Sequence, residues 1–205
     1  MDPAVHTQKE ALLQESLIKE SVSIPASYHM ELPSTNDMAM TSAEAVKGLS
    51  MVVTDYQTKG KGQAGRTWDS EQGQNLLFSL LFNPATPLNL PQAVVETFTL
   101  DVVRSIAKTL GGLLAGTFDL KPPNDLFLNG KKVCGILSEV SREGLLVHRL
   151  VVGIGLNVNQ RQFPEHLRHP ATSMALETGC MWNRERLLGH LVEGLVPCFD
   201  TLENK

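Results

Sequence analysis

Between residues 118 and 159 the chain alternates short apolar runs with turn-forming residues, and this succession limits its fold more than any other feature. Phe118 to Lys121 reads as a strand. Pro122-Pro123 stops it, because proline has no N–H to give a central ladder, and Asn124-Asp125 follows as a polar elbow. Leu126-Phe127-Leu128 and Lys132-Val133-Cys134-Gly135-Ile136-Leu137 flank Asn129-Gly130, whose tolerance of positive φ suits a tight hairpin turn. A second turn over residues 141–144 leads into another strand-like stretch over 145–159. Upstream, Asn75-Leu76-Leu77-Phe78-Ser79-Leu80-Leu81-Phe82 has the length and apolarity of a buried strand and should pair with residues 50–56. Successive hairpins predict a mixed, largely antiparallel sheet.

Helices flank it. From Pro91, the residues Val94, Val95, Phe98, Val102, Val103, Ile106 and Leu110 recur at helical spacing up to Gly111-Gly112, which predicts a long helix packed on the sheet. Leu187, Leu188, Leu191, Val192, Leu195 and Phe199 do the same between residues 183 and 202, with Pro197 expected to kink or end that helix. Tyr28-His29-Met30-Glu31-Leu32 alternates like a short strand, and Pro33-Ser34-Thr35-Asn36-Asp37 offers N-cap residues for a helix over 38–47. Residues 1–27, with Ala11, Leu12, Leu13, Leu17 and Ile18 among polar residues, read as a peripheral amphipathic extension. The fold class is α/β, of the α+β type.

One glycine-rich stretch does not belong to this scaffold pattern: Gln57-Thr58-Lys59-Gly60-Lys61-Gly62-Gln63-Ala64-Gly65-Arg66-Thr67-Trp68 directly follows the strand at Met51-Val52-Val53. Its glycines let backbone approach a ligand, and its cations have no acidic residue among them, so it reads as an anion-holding loop. It formally contains G-x-G-x-x-G, yet no helix begins at Arg66 and no acidic residue stands about twenty positions on, so a dinucleotide fingerprint is excluded. The Walker pattern and the kinase His-Arg-Asp element are absent as well. A net charge of −4 over 205 residues makes the loop a local feature of an acidic chain, which argues for a small anionic ligand and against a nucleic-acid partner. No apolar run is long enough to span a bilayer and no leader pattern opens the sequence, so no membrane partner and a cytoplasmic location are expected. Cys134, Cys180 and Cys198 form no metal or disulfide pattern, Cys134 reads as packing, and His166 and His169 read as surface histidines.

Taken in order, Ser34-Thr35-Asn36, the loop from Gln57 to Trp68, Lys121-Pro122-Pro123-Asn124-Asp125, Lys132-Val133-Cys134-Gly135-Ile136-Leu137 and Gly153-Ile154-Gly155-Leu156-Asn157 resemble the S-T-N, G-R-G-R/Q-x-G-R/N-x-W, K-W-P-N-D, K-x-x-G-I-L-x-E and G-x-G-x-N patterns of the catalytic domain of biotin protein ligases. The resemblance runs from about residue 28 to 202. It implies the mixed sheet of that fold, with residues 28–205 as the catalytic domain, and a two-step activity: biotin and ATP give biotinyl-adenylate, whose biotinyl group passes to a lysine of a biotin carboxyl carrier domain. Mg²⁺ would accompany ATP.

By the same resemblance, Ser34, Thr35, Asn36, Gln57, Gly60, Trp68 and Gly135 would meet biotin. Gly60, Lys61, Gly62, Gln63, Gly65, Arg66, Asn124, Asp125, Lys132 and Asn157 would meet the nucleotide or adenylate. Lys132, Arg66 and Lys61 would carry the catalytic charge, Asp125 would fix the site or help bind metal, and Asn157 would contact phosphate or ribose. Joining an anionic carboxylate to a polyphosphate is a problem of positioning and charge neutralisation, which fixed cations answer without any pKa shift. Pro122 replaces the usual Trp, and Gln63-Ala64 replaces an arginine pair of some members. Neither a winged-helix DNA-binding domain nor a C-terminal β-rich domain is expected in this chain, and a homodimer edge stays open. Two other readings also stay open: a lipoate or octanoate ligase or transferase of the same fold, and a non-catalytic biotin- or adenylate-binding module.

Overall fold

The computed structural model describes residues 12–42, 47–165 and 167–203. Most of the expected extension before Leu13, the end of the helix expected over 38–47, and His166 lie outside them.

Among the described residues, eight strands form one sheet: β1 (Ala26–His29), β2 (Gly48–Thr54), β3 (Leu76–Asn83), β4 (Leu88–Asn89), β5 (Phe118–Lys121), β6 (Asp125–Leu128), β7 (Lys131–Glu143) and β8 (Leu146–Leu156). Their order is β1-β2-β3-β8-β7-β6-β5, with β4 beside β8. β1 and β2 run parallel and the other pairs antiparallel, as the hairpin signals predict. Asn129 (φ 51°) and Gly130 (φ 79°) make the β6–β7 turn, and Gly144 (φ 60°) the β7–β8 turn.

Side chains alternate across a strand, so register assigns every residue to a face. Gly135, Leu137 and Glu139 of β7 stand opposite Gly155, Gly153 and Val151 of β8, and Ser79 and Leu81 of β3 stand opposite Gly153 and Val151. These residues share one face. Phe78, Leu80, Cys134, Ile136, Val152, Ile154 and Leu156 hold the alternate positions and enter the main core.

The helices α1 (Glu15–Ser21), α3 (Gln92–Gly111) and α5 (Arg184–Glu203) close over that core face. Phe199 meets Phe98 edge-on with ring centroids 5.0 Å apart, and each such fully buried side chain contributes about 1.5–3 kcal/mol. Helix α2 (Thr35–Thr41) lies on the opposite face, where Ala39 packs with Leu32, Val52, Leu81 and Val151. Because both faces are covered, β3 is buried along its whole length.

Three details differ from expectation. The first strand lies at residues 26–29, with Leu32 left as an isolated bridge to Gln57. The second helix begins at Thr35 rather than 38, so Thr35 and Asn36 stand in its first turn. Helix α5 runs through Pro197 to Glu203, held by the buried Leu195, Phe199 and Leu202 on either side, and the Gly194 carbonyl next to the disturbed turn accepts from Ser105 Oγ at 2.6 Å.

Residues 13–21 are anchored rather than loose. Leu13 and Ile18 are buried, and a side chain at Gly189 of α5 would strike the Ser21 carbonyl at 2.6 Å, so α1 lies tightly on α5. Their meeting point is Asp55, fully buried at the end of β2. It accepts from Leu13 N at 3.0 Å and Tyr28 Oη at 2.5 Å, and pairs with Arg184 Nη1 at 2.7 Å. Burial and this hydrogen bond push the Tyr28 hydroxyl well above its usual pKa.

Candidate active site

A cleft opens over the face that carries Gly135, Gly153 and Gly155, with about 1170 Å³ of space when its open mouth is included. Every expected site residue except Gly60 and Gly65 lines it. Those two lie under the glycine loop instead, where Lys61, Gly62 and Arg66 also reach.

The closed end is polar. Ser34 occupies the N-cap position of α2 but its hydroxyl makes no capping bond, so it serves the cleft rather than the helix. Thr35 donates its backbone N–H to Gln57 Oε1 at 2.7 Å, and Thr35 Oγ1 lies 3.1 Å from the same oxygen. With Oε1 so engaged, Gln57 has its Nε2 hydrogens to offer a ligand. Behind them Asn36 Nδ2 donates to the Leu137 carbonyl at 3.1 Å and to Glu139 Oε2 at 2.6 Å. Ser79 Oγ lies 2.6 Å from Asn36 Oδ1 and 2.7 Å from Thr35 Oγ1. Ser34, Thr35, Asn36 and Ser79 are all buried.

Trp68 forms the wall. The loop that carries it is a miniature hairpin: Trp68 N donates to the Gly60 carbonyl at 2.9 Å and Gly62 N to the Arg66 carbonyl at 2.7 Å, around a tight turn in which Ala64 (φ 56°) and Gly65 (φ 73°) are left-handed. The N–H of Gly62 is therefore engaged inside the loop, while the residue itself lines the cleft. The Trp68 ring rests on the sheet glycines. A Cβ at Gly155 would come within 2.5 Å of it and one at Gly135 within 2.7 Å, while a Cβ at Gly153 would lie 2.1 Å from Asn36 Oδ1. These glycines leave room for protein side chains, and Gly135 lies against Trp68 while also lining the cleft.

The open end is cationic. Lys132 Nζ pairs with Asp125 Oδ1 at 2.7 Å and stands 5.3 Å from the centre of the Trp68 ring. Its backbone is held on both sides: Lys132 N donates to the Pro170 carbonyl at 2.8 Å, and Thr172 N donates to the Lys132 carbonyl at 2.9 Å. Asn124 supports the hairpin from the elbow, donating Nδ2 to the Ile136 carbonyl at 2.5 Å. Arg66 lines the cleft from the loop. Lys61 pairs with the Asp37 carboxylate of α2, and that hydrogen bond raises the lysine's pKa. Trp68 Nε1 and Asn157 Oδ1 are buried without a partner, a donor and an acceptor at the cleft wall that the protein itself does not satisfy. Because Asn157 Nδ2 donates to the Thr172 carbonyl at 3.0 Å, Oδ1 is the side-chain atom it turns to a ligand.

The residues do not fit a protein-held Mg²⁺. Among the described residues no three His, Cys, Asp or Glu side chains gather as a metal cluster, and the carboxylate expected to help, Asp125, is already paired with a lysine. His169 is half-buried at the cleft, its ring edge-on to Phe127 with centroids 5.5 Å apart. It stands there with Phe163, Leu167 and Arg168, a side of the site that the sequence reading lacks altogether. The segment has no periodicity to mark it. Ser79 and Glu139 are missed as well, although each carries a signal: Ser79 is the polar residue inside an apolar run, and Glu139 stands two and four positions from Leu137 and Gly135 on the same strand face.

With this geometry in view, comparisons with known proteins are specific. Residues 28–157 match the model of the biotin/lipoate A/B protein ligase family. The bifunctional ligase/repressor BirA of Bacillus subtilis is 35% identical over 169 residues, which is 80% of this chain and 50% of that protein. The biotin–[acetyl-CoA-carboxylase] ligase of Paracoccus denitrificans is 33% identical over 125 residues, 61% of this chain and 51% of the relative. Among solved structures, biotin protein ligase from Aquifex aeolicus in complex with biotin and ATP superposes with a TM-score of 0.73 at 32% identity, over 88% of this chain and 72% of that one. The chain thus spans about half the length of the curated relatives it matches. The chain belongs to the biotin/lipoate A/B protein ligase family.

Proposed function

We propose that the chain is an ATP-dependent biotin protein ligase, with residues 28–205 as its catalytic unit, which forms biotinyl-5'-adenylate and passes the biotinyl group to a lysine of a biotin carboxyl carrier domain. The observation that carries this reading is the polarity of the cleft. Its closed end offers the buried hydroxyls of Ser34 and Thr35 and the amide hydrogens of the half-buried Gln57, its wall is the Trp68 ring, and its open end holds Lys132 and Arg66. A ligand that fits has a head rich in hydrogen-bonding groups, an apolar middle and an anionic tail. Biotin has all three. The dithiolane of lipoate has no N–H or carbonyl to meet the closed end, and leaving those buried groups unpaired would disfavour it strongly.

The chemistry follows from placement. The biotin carboxylate, directed to the open end, attacks the α-phosphorus of ATP; a C–O–P bond forms, the bond to the β-phosphate oxygen breaks, and pyrophosphate leaves. Lys132, oriented by Asp125, and Arg66 offset the negative charge that accumulates on the phosphoryl oxygens. Asn157 Oδ1 accepts, so it suits a hydroxyl or amino hydrogen of the nucleoside and not an ionised phosphate oxygen. In the second step the carrier lysine's amine attacks the acyl carbon and AMP departs.

Biotin-dependent exchange of labelled pyrophosphate into ATP tests the reading. Exchange with biotin and none with lipoate is expected; exchange with lipoate alone would overturn it.

A further inference from the structure

The cationic end of the cleft is held from behind by a buried residue that does not itself line it. Thr172 lies just past Ala171, where the lining stops, and is 1% exposed. Its backbone N–H donates to the Lys132 carbonyl at 2.9 Å, and its own carbonyl accepts from Asn157 Nδ2 at 3.0 Å. The cation at the open end and the unpartnered acceptor at the wall therefore rest on the two backbone groups of one residue. The second bond also sets a direction. An amide that gives Nδ2 to Thr172 turns Oδ1 the other way, so displacing the Thr172 carbonyl would free Asn157 to turn over and show the cleft a donor.

Thr172 is clamped in turn by its side chain. Its Oγ1 donates to Glu177 Oε1 at 2.6 Å, and the other carboxylate oxygen accepts from Asn129 Nδ2 at 2.7 Å. Asn129 stands in the turn that precedes Lys132, and its Oδ1 accepts from Thr117 N at 3.0 Å. These contacts close a ring, from Asn129 to Glu177 to Thr172 to Lys132 and back along the chain, around the backbone that carries the lysine. Both side-chain bonds of the ring end on an ionised acceptor, which makes them roughly twice as strong as neutral ones.

We propose that Thr172, clamped by Glu177, is a positioning residue for the nucleotide half of the cleft: it sets the spacing between the Lys132 cation and the Asn157 acceptor, and so the seat of the phosphate relative to the nucleoside. The inference rests on the reading of the cleft as a site of adenylate formation. The biotin half is held separately, by the bonds between Thr35 and Gln57 at the closed end. Loosening the clamp therefore acts on one substrate and spares the other.

The test measures biotin-dependent pyrophosphate exchange over a range of ATP concentrations, and biotin binding by calorimetry, for the full chain and for Thr172→Val, Thr172→Ser and Glu177→Ala, with a thermal melt of each. Thr172→Val keeps the shape of the side chain and removes the clamp. Its kcat/KM for ATP should fall about ten- to a hundredfold, the scale on which small misplacements act. The fall should come from a higher KM for ATP as well as a lower kcat, with biotin affinity unchanged. Glu177→Ala should do the same, and Thr172→Ser, which keeps the hydroxyl, should match the unaltered chain. An unchanged kcat/KM for ATP in Thr172→Val, a Thr172→Ser form as impaired as Thr172→Val, or biotin affinity that falls in step would overturn the inference while leaving the proposed function standing. Absence of biotin-dependent exchange in the unaltered chain would overturn both.

Discussion

Lys132 holds its charge beside a counter-ion, and this decides how it can act. Paired with Asp125 at 2.7 Å and braced by the Pro170 and Thr172 backbone, it is a fixed cation and not a base awaiting a proton. Lys132→Ala should lower biotin-dependent pyrophosphate exchange about 10²- to 10³-fold while biotin affinity, measured by calorimetry, changes little. Equal exchange in the variant would remove Lys132 from the chemistry. Trp68 and its glycine seats make a second residue-level case. Gly155→Ala would drive a methyl into a ring 2.5 Å away and should cost about 1–3 kcal/mol in denaturant melts. Trp68→Leu made in the same chain should return part of that loss, because the two positions share one volume. Cys134 is the opposite kind of residue, reactive in type and inert in place. Full burial pushes its thiol up to about 12, so iodoacetamide at pH 8 should label the exposed Cys180 and leave Cys134 unmodified until the chain unfolds.

At the scale of elements, the β6–β7 hairpin is tied to the segment that follows the cleft's far wall. Glu177 of α4 (Met174–Thr178) accepts from Thr172 Oγ1 at 2.6 Å and Asn129 Nδ2 at 2.7 Å, and these bonds hold its carboxyl below the ordinary value of 4.5. A depressed carboxyl stabilises the folded state above its unfolded value and loses that contribution as pH falls through the folded one. The tie, and with it the pairing of residues 170–172 to Lys132, should therefore loosen below about pH 4.5, which hydrogen exchange at Thr172 and Lys132 would report. The Thr172→Val and Glu177→Gln forms should show less of this pH dependence. These elements also show what a sequence can disclose. The strands, the Asn129-Gly130 turn and the long helices are legible because local periodicity and turn chemistry agree with the final packing. Helix α5 passing through Pro197 is not, since the buried Leu195, Phe199 and Leu202 that override the proline are a property of the packed core.

At the scale of the whole molecule, the site was legible to the extent that it lies in ordered motifs and illegible where it depends on register. Lys132, Trp68, Ser34 and Gln57 announce themselves by their patterns. Ser79 and Glu139 become site residues only when β3, β8 and β7 are laid side by side, and Phe163, Leu167, Arg168 and His169 only when the fold brings them to the cleft. The buried Asp55 links distant parts of the chain in the same way, joining Leu13, Tyr28 and Arg184 two positions before Gln57. Arg184→Met should leave a buried carboxylate without its cation and cost about 3–5 kcal/mol in urea denaturation. A loss within 1 kcal/mol would show that the Tyr28 and Leu13 hydrogen bonds suffice.

The two-sided register of β3, β7 and β8 carries one more consequence. The same strands present Phe78, Ile136 and Val152 to the core and Ser79, Gly135, Leu137 and Gly153 to the cleft, so a slip by one residue would exchange the two sets together. Recognition and folding are read from one alignment, like the two sides of a single printed sheet. A one-residue slip therefore cannot keep the interior and misplace the cleft face alone, and saturating biotin should shift the melting curve upward.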